Sequence, residues 1–239
     1  MFITSALKWK ILESLPKGGI VAEIGTYKGE MSRAILDICD PKKLFLIDCW
    51  EMSVNLQDEL AFHNHDEGEV IYQGVLNYFS NEIKSKQIEI VREYSTKCFN
   101  RFPNNFFDWI FIDADHTYNG VMNDLVNFSS KVKDGGFILG HDYTNHEDAK
   151  KQNFGVVEAV NDFVIRNKYQ FLALTLYEGW PTYVISKTYH QNADVFLMNL
   201  ARNSEFVLEI EDFLNFKYQH KIFDYDNKRK LIPKISKKG

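Results

Sequence analysis

Cysteine and proline are scarce in these 239 residues, three and five respectively, and no apolar run reaches the length of a membrane span. Cys39, Cys49 and Cys98 are odd in number, lack CxxC spacing and lie within apolar stretches, which excludes a disulfide framework and fits reduced thiols in a cytoplasmic protein. The opening MFITSALKWKILESLPKGG is interrupted by lysines and has no cleavage-site pattern, so no export or anchoring segment is expected. A surplus of positive charge is also missing: 28 Lys and Arg stand against 33 Asp and Glu, a net charge of -5. Without a global positive field, neither a nucleic acid nor a membrane is expected as partner, and a small-molecule or sugar acceptor is favoured.

What is present is a series of short apolar runs. GGIVAEIG, KKLFLIDCW, FFDWIFIDAD and GGFILGHD are near-continuous rather than alternating, as parallel strands covered on both faces require. IEIV at 88–91 is a weaker strand candidate. Helical spacing follows each run: Ala34, Ile35 and Ile38; then Val75, Leu76, Phe79 and Ile83; then Val121, Leu125 and Phe128. Alternation of this kind predicts βαβ units and an α/β, doubly wound, mostly parallel sheet. YQFLALTLYEGWPTYVISK reads as an antiparallel hairpin at the sheet edge, turning around Glu178 to Pro181. A helical extension is expected from Ala193 to about Lys221, followed by a lysine-rich end that reads as solvated, with membrane or nucleic-acid contact the lesser alternative. Its apolar positions could cover a homo-oligomer interface or cap the acceptor pocket. The expected division is a main domain over 1–187 and a helical extension with a basic tail over 188–239.

Each strong strand ends in an acid: Glu23, Asp48, Asp113 and Asp142. In an open parallel sheet ligands bind beyond the carboxyl ends of the strands, so these groups should converge on one crevice. Gly25 and Gly29 mark a sharp strand-to-helix turn that approaches a ligand closely. The pattern is not GxGxxG, which disfavours a nicotinamide dinucleotide. Asp48, at the end of the second strand, is placed to accept a ribose diol, and Trp50 and Tyr94 could flank a base. Two further clusters, His63 to Glu67 and His146 to Asp148, read as exposed loops. Lys28 reads as a surface lysine.

The E-x-G-x-x-x-G turn followed by a second-strand acid resembles the class I S-adenosylmethionine-dependent methyltransferases. The D-x-D-H-x-Y-x-G-V and G-H-D-Y segments resemble their metal-dependent small-molecule O-methyltransferase subgroup, over roughly residues 18–187. The resemblance implies a Rossmann-like, seven-stranded sheet and S-adenosylmethionine as cofactor. It implies cofactor contacts from Glu23, Gly25, Thr26, Tyr27, Gly29, Asp48, Cys49, Trp50, Tyr94, Ser95 and Asp113. Asp113, His141 and Asp142 become candidate ligands of a divalent metal, Mg or Mn. A histidine stands where relatives carry an acid, and imidazole suits Mn²⁺, Fe²⁺ or Zn²⁺ better than Mg²⁺. His141 could instead act as a base or a substrate contact. Asp115 is the general base the relatives suggest, with His116 beside it as the alternative. Methyl transfer to a hydroxyl is the expected reaction. A metal-independent enzyme with a histidine base and a cofactor-binding module without turnover are the other two readings.

Overall fold

The computed structural model describes residues 1–51, 65–176, 178–187, 190–225 and 228–237. The chain opens with β1 (Phe2–Thr4) and α1 (Lys8–Ser14). Alternating units follow: β2 (Ile20–Ile24), α2 (Glu30–Cys39), β3 (Lys43–Asp48), α3 (His65–Tyr78), α4 (Ser80–Lys84), β4 (Ile88–Arg92), α5 (Ser95–Cys98), β5 (Phe107–Ile112), α6 (Tyr118–Ser129) and β6 (Val132–Gly140). Then come α7 (Glu147–Lys151), α8 (Val156–Asn167), β7 (Gln170–Thr175), β8 (Tyr183–Ser186), α9 (Gln191–Arg202), β9 (Val207–Glu209), β10 (Phe216–Tyr225) and β11 (Lys228–Lys237).

The continuous apolar runs form strands because the sheet is buried on both sides. Successive side chains point to opposite faces. Ala22, Ile24, Phe45, Ile47, Ile110, Ile112 and Ile138 pack into one core layer with Val121, Leu125 and Phe128 of α6 and Val160 and Phe163 of α8. Val21, Leu44, Leu46, Trp109, Phe111, Phe137 and Leu139 pack into the other with Ile11 and Leu12 of α1, Ile35 of α2 and Phe196 of α9. Strands β4, β3, β2, β5 and β6 run parallel in that order, so the order reverses between β2 and β5. That reversal is the switch point at which such sheets bind ligands.

Among the described residues the main sheet has nine strands rather than the expected seven. β8 lies antiparallel between β6 and β7, and β1 and β9 continue the sheet past β7. The hairpin of β7 and β8 is therefore interior to the sheet rather than its edge. The expected helix up to Lys221 ends at Arg202 because an unpaired sheet edge offers the backbone a better partner. The Phe206 carbonyl accepts the Ser5 N–H at 3.2 Å, and β9 then pairs with β1. The lysine-rich end is β11, the second strand of a ribbon with β10 that forms its own two-stranded sheet.

The base of this ribbon is fastened to the loop after β6. Tyr218 and His220 are buried. The imidazole of His220 lies 2.7 Å from Thr144 Oγ1 and 3.1 Å from the Tyr218 hydroxyl, and Asn145 Nδ2 donates to the Tyr218 carbonyl at 2.9 Å. Burial, with a smaller repulsion from His146, pulls His220 down to about 4. The docked ribbon thus rejects a proton that an undocked one takes up near the ordinary value of about 6.5. The contribution of His220 to docking is complete above pH ~6.5 and is lost as pH falls toward about 4. Proteolytic cleavage between 205 and 237 should accelerate over that window, and His220→Gln should remove the part of the dependence that belongs to this imidazole.

Candidate functional site

The Gly turn and the neighbouring strand ends are packed backbone against backbone. Gly25 has φ +89°, and a Cβ there would stand 1.9 Å from the Asp113 carbonyl oxygen, so only glycine lets the end of β2 lie against the end of β5. Gly29, at φ +82°, caps α2, and a Cβ on it would meet the Phe79 ring at 2.6 Å.

Asp48 holds this turn. One carboxylate oxygen accepts the N–H groups of Thr26 and Tyr27, each at 2.9 Å, and the other accepts that of Trp50 at 2.8 Å. Burial pushes Asp48 above the usual carboxylate range, opposed by these backbone hydrogen bonds. Tyr27 and Trp50 both hold left-handed backbone, at φ 49° and 47°. The Trp50 indole N–H donates to the Tyr27 carbonyl at 2.9 Å, and the side chain is fully buried. Trp50 therefore clamps the turn, its ring buried where the sequence suggested a flank for a base. Glu23 is likewise buried at 1% exposure and accepts the Ser32 hydroxyl. Burial pushes it well above the usual range against that hydrogen bond, and Asp113 and Asp48 add repulsion. It supports the turn from beneath rather than facing an open crevice.

On the rim, the Tyr94 hydroxyl donates to Glu51 at 2.8 Å, and that bond is the main cause of its rise to about 12. Cys49 is half-buried, and burial raises its thiol to about 11. Ser95 begins α5 and hydrogen-bonds Asp124, a buried carboxylate of α6 that burial pushes up to about 7. Asp124 was missed from sequence, although the signal was there: a carboxylate on the apolar stripe Val121, Leu125 and Phe128. Lys28 is exposed, as expected.

Beyond the switch point two carboxylates and two imidazoles converge. His141 Nδ1 lies 3.0 Å from Asp142 Oδ1 and 3.8 Å from Asp113 Oδ2. His116 Nε2 lies 3.0 Å from Asp142 Oδ2 and 3.4 Å from Asp113 Oδ1. Burial acts to lower His141, but the two carboxylates outweigh it and raise it. Burial acts to raise Asp142, and the two imidazoles outweigh that and hold it well below the usual range. Asp142 also takes left-handed backbone, φ 60°, as it leaves β6. One donor atom from each of Asp113, His141 and Asp142 lies within 4.8 Å of the others, a spacing able to hold a cation. Asp115 accepts the Thr117 N–H at 2.9 Å through one oxygen, and its side chain fills the space beside Gly120.

A row of rings extends from the cluster. His116 lies 4.4 Å from Phe154, Phe154 5.4 Å from Trp180, and Trp180 4.8 Å from His146. His146 is buried and accepts the Ala149 N–H, which corrects its reading as part of an exposed loop. Phe154 and Trp180 sit in connections that carry no periodicity, so nothing in the sequence placed them here. Of the other cluster, Asp66 and Glu67 are exposed in the first turn of α3, and His63 and Asn64 lie outside the described residues.

Residues 22–143, just over half of the chain, match the model of a family described as a methyltransferase domain. No curated protein matches the chain in sequence. Among solved structures, SMU.1697c from Streptococcus mutans in complex with SAH is 12% identical, with a TM-score of 0.52 over 76% of this chain and 96% of that one. A ribosomal protein L11 methylase from Lactobacillus delbrueckii subsp. bulgaricus is 14% identical, with a TM-score of 0.52 over 76% of each chain. The tRNA methyltransferase TrmK of B. subtilis is 9% identical, with a TM-score of 0.51 over 74% of this chain and 64% of that one. At these identities the likeness is one of fold, whereas the match spanning β2 to the loop after β6 covers every strand end described above. The chain belongs to this family of methyltransferase domains.

Proposed function

We propose that the chain transfers a methyl group from S-adenosylmethionine to a hydroxyl of a small molecule or sugar, aided by a divalent cation at Asp113, His141 and Asp142. The observation that carries this reading is the adjacency of the Gly25 turn to the histidine–carboxylate cluster, which share Asp113: its carbonyl abuts Gly25 and its carboxylate belongs to the cluster.

The residues present fit both groups. Gly25 lets the end of β2 pack directly against the Asp113 backbone, and the amides of Thr26 and Tyr27 that follow it are fixed by Asp48 in a strand-to-helix turn of the kind that receives a ligand. The donors at the cluster are two carboxylates and one imidazole, a mixed set better matched to Mn²⁺, Fe²⁺ or Zn²⁺ than to Mg²⁺. When bound, the cofactor supplies an electrophilic methyl on a sulfonium, and a cation lowers the pKa of an alcohol beside it. Among the cluster residues, His116 is the better proton acceptor. A proton taken by its imidazole is stabilised by Asp142 and Asp113 together, whereas Asp115 is committed to the start of α6. The rings of Phe154 and Trp180 continue from His116 and suit the flat face of a sugar or aromatic acceptor.

S-adenosylhomocysteine should bind in a calorimetric titration. Asp48→Asn, which leaves a turn amide facing an NH₂ group, should weaken that binding about tenfold or more. Gly25→Ala should weaken it further and lower the melting temperature; unaltered binding in both variants would exclude this turn as the cofactor site.

Mn²⁺ alone, followed by electron paramagnetic resonance, should bind one site per chain and lose about tenfold or more in affinity in Asp113→Ala and in His141→Ala. If Mn²⁺ does not bind while activity survives chelator, the metal-independent reading with His116 as base replaces this one.

Release of S-adenosylhomocysteine with a panel of hydroxylated sugars and phenols should fall about a hundredfold in His116→Gln. Binding of Mn²⁺ and of S-adenosylhomocysteine should persist in that variant. Equal turnover would return the base role to Asp115.

A further inference from the structure

The ribbon of β10 and β11 has two unlike faces. Phe216, Tyr218, His220 and Ile222 alternate on one, with Pro233 and Ile235 opposite them, and Tyr218 and His220 are the buried pair that docks on the loop after β6. Lys217, Gln219, Lys221 and Phe223 alternate on the other, where register places Ile232, Lys234 and Ser236. Among the described side chains of this second face, Lys217, Lys221 and Lys234 are exposed, and Phe223 and Ile232 are 47% and 40% exposed. Phe223 and Ile232 are diagonal neighbours across the two strands, since Lys221 faces Ile232 and Phe223 faces Lys230. An apolar pair on a lysine-rich surface is the result.

The charge of the molecule is segregated here. Phe216 to Lys237 holds seven Lys and Arg against two Asp, while the whole chain is net -5, so the remainder is more acidic than the total suggests. We propose that this second face binds the surface of an anionic phospholipid bilayer, with the lysines on the headgroups and Phe223 and Ile232 entering the boundary with the acyl chains. A bilayer suits the face better than a nucleic acid on two grounds. Half of the apolar pair is an aliphatic Ile232 that offers no stacking surface to a base, and the exposed basic residues of this face are Lys217, Lys221 and Lys234, a residue type whose long stem lies on apolar surface while its charge reaches the phosphate level. An acidic body behind the ribbon also repels a polyanion long enough to extend past it. Ten residues per strand give a contact edge of roughly 34 Å. The opposite face is fixed to the loop carrying Asp142, so the ribbon links the proposed bilayer contact to that loop.

Flotation with vesicles tests this in the full chain. The protein should rise with vesicles of equal parts phosphatidylcholine and phosphatidylglycerol, stay behind with phosphatidylcholine alone, and release as NaCl is raised to about 0.5 M. Each lysine on an anionic leaflet strengthens binding about fivefold, so the combined Lys217→Glu, Lys221→Glu and Lys234→Glu variant should lose about a hundredfold. Phe223→Ser with Ile232→Ser should weaken binding at fixed salt and leave the salt dependence unchanged. The exposed substitutions should leave the thermal melt and S-adenosylhomocysteine binding as in the parent, which separates this test from that of the catalytic reading. Absence of flotation at low salt, equal flotation with neutral vesicles, or retention by the charge-reversed variant overturns the proposal. Binding to a duplex RNA that is lost on charge reversal, without vesicle binding, assigns the face to nucleic acid instead.

Discussion

The architecture of the site depends on one contact between two backbones. At the switch point, the end of β2 must pass so near the end of β5 that a single methyl group on Gly25 would overlap the Asp113 carbonyl. Everything that faces the crevice is measured from that contact. The turn it permits brings the amides of Thr26 and Tyr27 over the end of β3, where Asp48 can accept both. Trp50 then closes the arrangement by binding the Tyr27 carbonyl, and α3 comes near enough that a Cβ on Gly68 would stand 2.1 Å from the Trp50 carbonyl. The left-handed backbone of Tyr27 and Trp50 is costly in isolation, about 1–3 kcal/mol for each strained non-glycine residue. It persists because the hydrogen bonds of Asp48 and the packing of Trp50 determine it jointly.

Electrostatics impose the second constraint. Glu23, Asp48, Asp113 and Asp142 lie at adjacent strand ends, and a group of unopposed carboxylates would raise one another's pKa and repel. The chain resolves this in three different ways. Asp48 is matched to backbone amides, Glu23 is buried with Ser32 and pushed toward the neutral form, and Asp142 is set between two imidazoles that keep it ionised. Asp113 remains part-exposed with one oxygen toward each histidine. Four similar residues thereby meet four different surroundings, and Asp113 and Asp142 are the pair with imidazole neighbours.

The sheet was readable from sequence because strands covered on both faces produce unbroken apolar runs, and β2, β3, β5 and β6 are such runs. The acids at their ends and the glycine turn were readable for the same reason, since strand ends fix where the crevice lies. Roles were less legible than positions. Trp50 looked like a stacking partner because a tryptophan after a strand end is placed near a ligand, but only coordinates reveal its indole N–H turned back to Tyr27. Asp115 was suggested as a base by the resemblance to metal-dependent relatives, and no local pattern shows that it also accepts the Thr117 amide at the start of α6. The segment after Arg202 misled for a different reason. Val207, Ile210, Phe213 and Leu214 have helical spacing, but the decision was made by a distant partner, the open edge of β1, which no local pattern encodes. β1 itself, three residues inside an amphipathic-looking stretch, was invisible for the same cause.

Net charge shows how a sum can conceal a structure. A value of -5 describes the field far from the molecule, but in solution charges act over roughly 8–10 Å, less than the length of the ribbon. What a partner meets is therefore the local face, and here the basic residues of the last strands are gathered onto a projecting ribbon while the acids are concentrated elsewhere. The loop from His141 to His146 joins the two regions physically. It contributes His141 and Asp142 to the cluster at one end, and at the other Thr144 and Asn145 grip His220 and the Tyr218 backbone. Any force on the ribbon is thus delivered within three residues of Asp142. A loop that serves at once as wall of the histidine–carboxylate cluster and as socket for the C-terminal ribbon cannot adjust one contact without the other, and that coupling makes the ribbon part of the cluster's architecture rather than an appendage.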